Sequence, residues 1–309
     1  METQMAAIYC IGTAHLDNIL TFSNHAPLRH TTAATSVKAV GGVVYNIATV
    51  LRQLGNDVAF SGVLGYDADA EHVIKDLKQH DIDCSAIIRS KANTGSYIAF
   101  HSQDGEMMLA AIDIDIYNQL TPRMFGPIID RLSKVENWVL DSNFSQQTYS
   151  YLAIAAKAHH ISVYLTISSI YGGEKIIPLL PITKALFGNV EEIQYLAHKL
   201  TNSGYENIWG AMQLIADLGT ETIFATDGAN GVYVLSKGQK IYRPAIPVTN
   251  VVSVNGAGDT FSAATMNGLL NNNQLLDSID AGLLAAAQKI SGLTIISLSK
   301  SRSGHTFMC

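Results

Sequence analysis

Short apolar runs recur along this chain, each closed by a small or polar residue and most followed by a stretch of helical period. The series opens with residues 6–11 before Gly12, and continues with residues 58–64 before Gly65, 138–141, 161–167, 185–187 and 221–226. A strand that is apolar throughout, and not only at alternate positions, has both faces covered. The intervening segments supply the cover. After Gly41 and Gly42, residues Val43, Ile47, Val50, Leu51 and Leu54 share one helical face, and Gly55 ends it. Helical period returns over 68–80, over 146–159, and from near Asn189 onward. This alternation predicts an α/β fold: a mainly parallel, right-handed sheet with helices on both faces.

Two segments break the rhythm. Residues 18–40 lack helical period and are rich in Thr and β-branched residues. Residues 96–101 and 107–112 read as a hairpin about Gln103, Asp104 and Gly105. Together they predict a small β lid, inserted at about 13–40 and 94–112 of one domain spanning residues 1–309.

Composition narrows the function. A net charge of -6, with no Lys/Arg cluster, argues against nucleic acid as a partner. No run approaches the roughly 18 apolar residues of a membrane span. The start (Met1, Glu2, Thr3, Gln4, Met5) has neither the basic residues nor the apolar segment of a signal peptide, which predicts a cytoplasmic protein. Cys10, Cys84 and Cys309 are odd in number and widely spaced, as expected of reduced thiols.

The chemistry concentrates near the carboxyl terminus. A β-branched run over 251–254 reads as a strand end or extended lead-in. Asn255, Gly256, Ala257, Gly258 and Asp259 follow, then an apolar helical run from Phe261. Glycines at a helix start let unpaired N–H groups converge at the positive end of the dipole, which suits an anion. Asp259 would repel a phosphate there, unless its task were to take a proton from a hydroxyl attacking it. An aspartate at a helix start is also a common capping choice, so the segment alone leaves both readings open.

Asn255 to Asp259, with the helix behind them, resemble the carboxyl-terminal signature of the PfkB/ribokinase family of small-molecule kinases. Gly41, Gly42 and Asn46, with Leu54 and Gly55, resemble its amino-terminal signature, and the segment from Gly12 to Asp17 its first strand. The resemblance implies a ribokinase-like fold and transfer of a phosphoryl group from ATP, with Mg²⁺, to a small-molecule hydroxyl. It implies Asp259 as the base and Gly256, Ala257 and Gly258 as the anion hole. Asp17, Gly41, Gly42 and Asn46 would bind the sugar.

Asn189 and Glu192 fit the family's Asn-x-x-Glu element. They imply nucleotide binding at Asn189 and a Mg²⁺ contact through water at Glu192. Thr226, Gly228 and Gly231 resemble its nucleotide loop; no Gly-x4-Gly-Lys-Ser/Thr loop is present. Ser253 stands where relatives usually carry Asp beside a monovalent cation, which leaves that cofactor open.

Within the family, residues 110–122, Asp141 to Asn143 and Ser168, Ser169 and Lys175 are most similar to pseudouridine kinases. That similarity implies pseudouridine as substrate and its 5′-hydroxyl as acceptor. Ribose, adenosine, a keto-deoxy acid, or a binder without catalysis are the alternatives. A homodimer through the lid is the expected assembly.

Overall fold

A computed structural model of the protein describes residues 8–23, 29–104, 106–170, 172–201 and 207–295. Residues 1–7, Gly105 and Cys309, and 24–28 of the segment read as lid, lie outside these. In chain order the strands are β1 (Ile8–Ile11), β2 (His15–Phe22), β3 (Ala34–Gly41), β4 (Val58–Ser61), β5 (Val63–Leu64), β6 (Ile88–Arg89), β7 (Ser96–His101) and β8 (Met107–Asp113). They continue with β9 (Asn137–Leu140), β10 (Ser162–Thr166), β11 (Thr183–Asn189), β12 (Thr222–Thr226), β13 (Val232–Ser236) and β14 (Gln239–Arg243).

The helices are α1 (Val43–Gln53), α2 (Ala68–Gln79), the one-turn α3 (Asp115–Asn118), α4 (Pro122–Phe125) and α5 (Ile129–Leu132), then α6 (Gln146–Ala158), α7 (Val190–Thr201), α8 (Ile208–Asp217), α9 (Ala257–Leu270) and α10 (Leu275–Ile290).

The main sheet runs β14-β13-β12-β11-β10-β9-β1-β4. From β4 to β12 every pairing is parallel. The expected mainly parallel sheet is therefore present. The hairpin β13–β14 extends it antiparallel beyond the strands read from the sequence. Alternation along one strand shows how both faces are filled. Tyr9 and Ile11 of β1 enter a core with Tyr149, Leu152, Leu196 and Met212, from α6, α7 and α8. Ile8 and Cys10 enter a second core with Val44, Ile47, Val73, Phe261 and Met266, from α1, α2 and α9. Period-two alternation sends successive side chains to opposite faces, so a wholly apolar strand requires both cores.

The smaller sheet, β3-β2-β7-β8, is the β lid. β2 pairs antiparallel with β3 and parallel with β7, and β7 pairs antiparallel with β8.

Of the two readings of residues 251–254, the strand end fails. Residues 251–254 form no strand, and Val251, Val252 and Val254 are about 60% exposed. Val252 and Ser253 instead donate to Ile290 O at 2.8 and 3.3 Å, at the end of α10. Among the described residues no helix is long and apolar enough to cross a membrane.

Candidate active site

Parallel strands with right-handed crossovers bring the amino ends of the helices to the carboxyl end of the sheet, where open α/β folds place their ligands. Three long helices start on side-chain caps, Asp67 on α2, Ser145 on α6 and Asn207 on α8, while α10 starts without one. The helices α1 and α9 begin on glycines, Gly42 and Gly256, and neither has a side-chain cap. A glycine at each start leaves room for a ligand to approach the helix amino end.

At the start of α9, Gly256 adopts φ 73°, the left-handed region in which a side chain is disfavoured. Ala257 N–H already donates to Val254 O at 3.2 Å, closing the turn. That bond takes Ala257 out of the expected donor trio in this conformation, while Gly256 and Gly258 keep unbonded amides among the described residues.

Asp259 lies in the first turn of α9 and accepts a hydrogen bond from Asn46 Nδ2 at 2.7 Å, across 213 residues of chain. Its carboxyl is pushed up from 3.8 to about 6, first by burial and further by the charge of Asp141; Asn46 and Lys289 pull the other way. A carboxylate poised near neutrality, held by an amide, is suited to accept a proton from a bound hydroxyl.

The wall toward the lid is built by close approach. A Cβ on Gly41 would stand 2.4 Å from Asp17 Oδ2, and one on Gly42 2.4 Å from the carbonyl of Thr13. Gly42 also holds φ 116°, so both positions exclude a side chain. Asp17 Oδ1 lies 3.2 Å from His15 Nε2 without hydrogen-bond alignment, and both Asp17 Oδ1 and His15 Nδ1 are buried with no hydrogen bond. Orphaned polar atoms at a cleft await a ligand or water. The structure thus groups Asp17 with Gly41, and Asn46 with Asp259.

Asn189 and Glu192 form a reciprocal capping box at the start of α7: Asn189 N–H donates to Glu192 Oε2, and Glu192 N–H to Asn189 Oδ1, each at 2.8 Å. The bland capping role is therefore real, yet Glu192 Oε1 stays unbonded among the described residues. Burial raises the Glu192 carboxyl, its bond from Asn189 opposes that, and the charges of Asp259 and Glu191 raise it further. Glu192 is half-buried and feels Asp259; its neighbour Glu191 is exposed. Thr226 pairs with Asn189 across β11 and β12, and the turn carrying Gly228 and Gly231 follows, closed by Asp227 N–H to Gly231 O at 2.8 Å. No hydrogen bond among the described residues joins this turn to the α9 end.

Two further contributors, Asp141 and Lys289, stand beside the expected site residues. Asp141, fully buried at the end of β9, accepts from Thr13 N–H at 2.8 Å, Thr13 Oγ1 at 2.7 Å and Asn143 N–H at 3.1 Å. It clamps the turn after β1 and raises the Asp259 carboxyl. A strand of Trp138, Val139 and Leu140 closed by an aspartate is the signal that marks it. Lys289, from α10, offers no such signal. Among the described residues no group of three or more His, Cys, Asp or Glu could hold a metal.

A separate cavity of about 480 Å³ lies at the amino-terminal ends of β9 and β10, lined by Lys134, Asn137, His159, Ser162 and Lys184 among others. The carboxyl ends of α5, α6 and α9 border it, and their dipoles disfavour an anion.

A mainly parallel sheet covered by helices, with a small β lid, is a ribokinase-like fold. The chain belongs to the pfkB family of carbohydrate kinases, whose pattern matches residues 5–300; it is a sugar or nucleoside kinase, a phosphotransferase with an alcohol acceptor.

It is similar to the uncharacterized sugar kinase YeiI of Escherichia coli K12, 24% identical over 90% of this chain and 77% of the relative. It is similar to the pseudouridine kinase of the same organism, 26% identical over 72% of this chain and 71% of the relative. In fold it matches the Arabidopsis thaliana ribokinase complexed with ribose and ATP, with a TM-score of 0.80, 20% identity and 93% of each chain covered.

Proposed function

We propose that the protein phosphorylates the 5′-hydroxyl of pseudouridine at the expense of ATP. The bond from Asn46 to Asp259 carries the reading, since it joins the expected sugar-binding helix to the expected base. The acceptor oxygen attacks the terminal phosphorus of ATP, the bond to the bridging oxygen breaks, and ADP departs with that electron pair. Asp259 takes the hydroxyl proton. Amides of Gly256 and Gly258 stabilise charge on the phosphoryl group in flight. Asp17, Gly41, Gly42 and Asn46 hold the ribosyl diol; a carboxylate accepts from two hydroxyls, and an amide donates and accepts.

Asn189, Thr226, Gly228 and Gly231 line the nucleotide. The donor set suits Mg²⁺: Glu192 is a raised, half-buried carboxylate with a free oxygen, facing the charge of Asp259, and it would hold the ion through water. Bound there, Mg²⁺ neutralises phosphate charge. ATP is supported by the ribokinase of like fold, and pseudouridine by the named relative together with residues 110–122 and Asp141 to Asn143.

The assembly we propose is a homodimer in a cytoplasmic setting. Strand alternation puts Val37 and Ile112 on the lid face that bears Asp17, and they are 63% and 54% exposed. A second copy of the lid would cover that face.

The test is ADP release with pseudouridine, uridine, adenosine and ribose as acceptors. A higher kcat/KM for pseudouridine than for uridine, which differs only in the ring atom joined to the sugar, supports the reading. Ribose or adenosine as the best acceptor replaces the substrate and leaves the chemistry standing.

A further inference from the structure

Lys289 ends α10, and the tip of its side chain lies over another helix's amino end. Its Cε would stand 3.5 Å from a Cβ built on Gly256, the first residue of the anion cradle. The lead-in to that cradle is pinned to the same helix end by Val252 and Ser253, both donating to Ile290 O. The backbone that carries Lys289 is therefore fixed beside the cradle, within reach of its side chain.

Among the described residues it makes no ion pair, and it is exposed. Its charge nevertheless reaches Asp259, where it counters burial. A lysine in a last turn ordinarily serves its own helix's dipole. That explains its place on α10, and leaves unexplained why it crosses the start of α9.

We propose that Lys289 is a phosphate-contacting residue of this kinase, its ammonium binding the terminal phosphoryl group of the nucleotide beside Gly256. The inference rests on the kinase reading above. The chain has no Gly-x4-Gly-Lys-Ser/Thr lysine, and the turn bond occupies Ala257 N–H, so the cradle is short of donors for a polyanion. A cation at its rim fills that need, and a compact ammonium serves as a point charge for phosphate.

Equilibrium binding, with no acceptor present, tests this on the full chain. Lys289→Met and Lys289→Arg are compared with wild type for ADP and for a non-hydrolysable ATP analogue. Loss of one charge-assisted contact should weaken the analogue about 10- to 100-fold in the Met variant. ADP, which lacks the terminal phosphoryl group, should change by no more than about threefold. Arginine should restore most of the analogue's affinity, and melting temperatures should agree across the three proteins, because the side chain is exposed.

The acid limb of the rate profile should also move to higher pH in the Met variant, since Asp259 loses a neighbouring cation. Equal weakening of both nucleotides, or none, overturns the proposal. Wild-type protein that binds neither nucleotide overturns the kinase reading itself, so the two failures are told apart.

Discussion

Asp259 is a group whose protonation sets its use. A base must be ionised to act, so kcat/KM is expected to fall as pH drops through about 6, the value to which burial and Asp141 push it. A pH profile with an acid limb near 4 would show that the carboxyl is not raised in the working enzyme. Asp259→Asn should lower kcat by about two to four orders of magnitude, the usual range for a positioned acid/base group, and leave ATP binding in place.

Stability moves the other way. Because the folded protein binds this proton more tightly than the unfolded chain, the contribution of Asp259 to stability falls as pH rises from 3.8 to about 6 and is constant above. The Asn variant should therefore melt higher than wild type at pH 8, with the gap closing near pH 4. Glu192 and Glu191 give a second contrast between neighbours. Glu192→Gln should raise the Mg²⁺ concentration for half-maximal rate, while Glu191→Gln, at an exposed carboxylate, should change little. Exchanged effects would shift the metal assignment by one residue.

At the scale of elements, the proposed site lies at two glycine-led helix starts, and one of them is easily broken. Gly42→Ala would place a Cβ 2.4 Å from the Thr13 carbonyl at φ 116°, so it should destabilise by about 1–3 kcal/mol and raise the KM for the sugar. Denaturant midpoints and acceptor titrations measure both. Unchanged values would mean that the turn after β1 yields freely. The segment 249–256 bears on the monovalent ion. Ser253 Oγ accepts from Asn255 N–H at 3.2 Å and so belongs to the turn, and it carries no formal charge. Activity should differ only modestly between sodium, potassium and a bulky organic cation; strong saturable activation by K⁺ would reveal a cage of carbonyls.

Much of this was legible in the sequence. Wholly apolar strands such as Tyr9 to Ile11 announce two cores, and the glycine pair before Val43 announces a helix start. The exposed run at Val251, Val252 and Val254 misleads because β-branched residues signal a strand only where an edge is there to pair with. The hairpin β13–β14 went unread, although Lys237 and Gly238, both at positive φ, form its turn.

Across the whole molecule, the site is assembled from residues far apart in the chain: Asn46 with Asp259, Thr13 with Asp141, Gly256 with Lys289. Motifs reported the first pair separately, since each lies in its own signature, but their bond is a product of the fold. Lys289 sits in an ordinary last turn of an ordinary helix, so nothing in its local sequence marks it. The central claim is that this constellation transfers a phosphoryl group to a nucleoside hydroxyl through Asp259. The most direct measurement is ADP release with ATP, Mg²⁺ and pseudouridine, run side by side on wild type and Asp259→Asn. The structure predicts steady turnover that depends on the nucleoside and collapses in the variant, while both proteins bind ATP alike. Nucleoside-dependent turnover that survives the Asn substitution would contradict it.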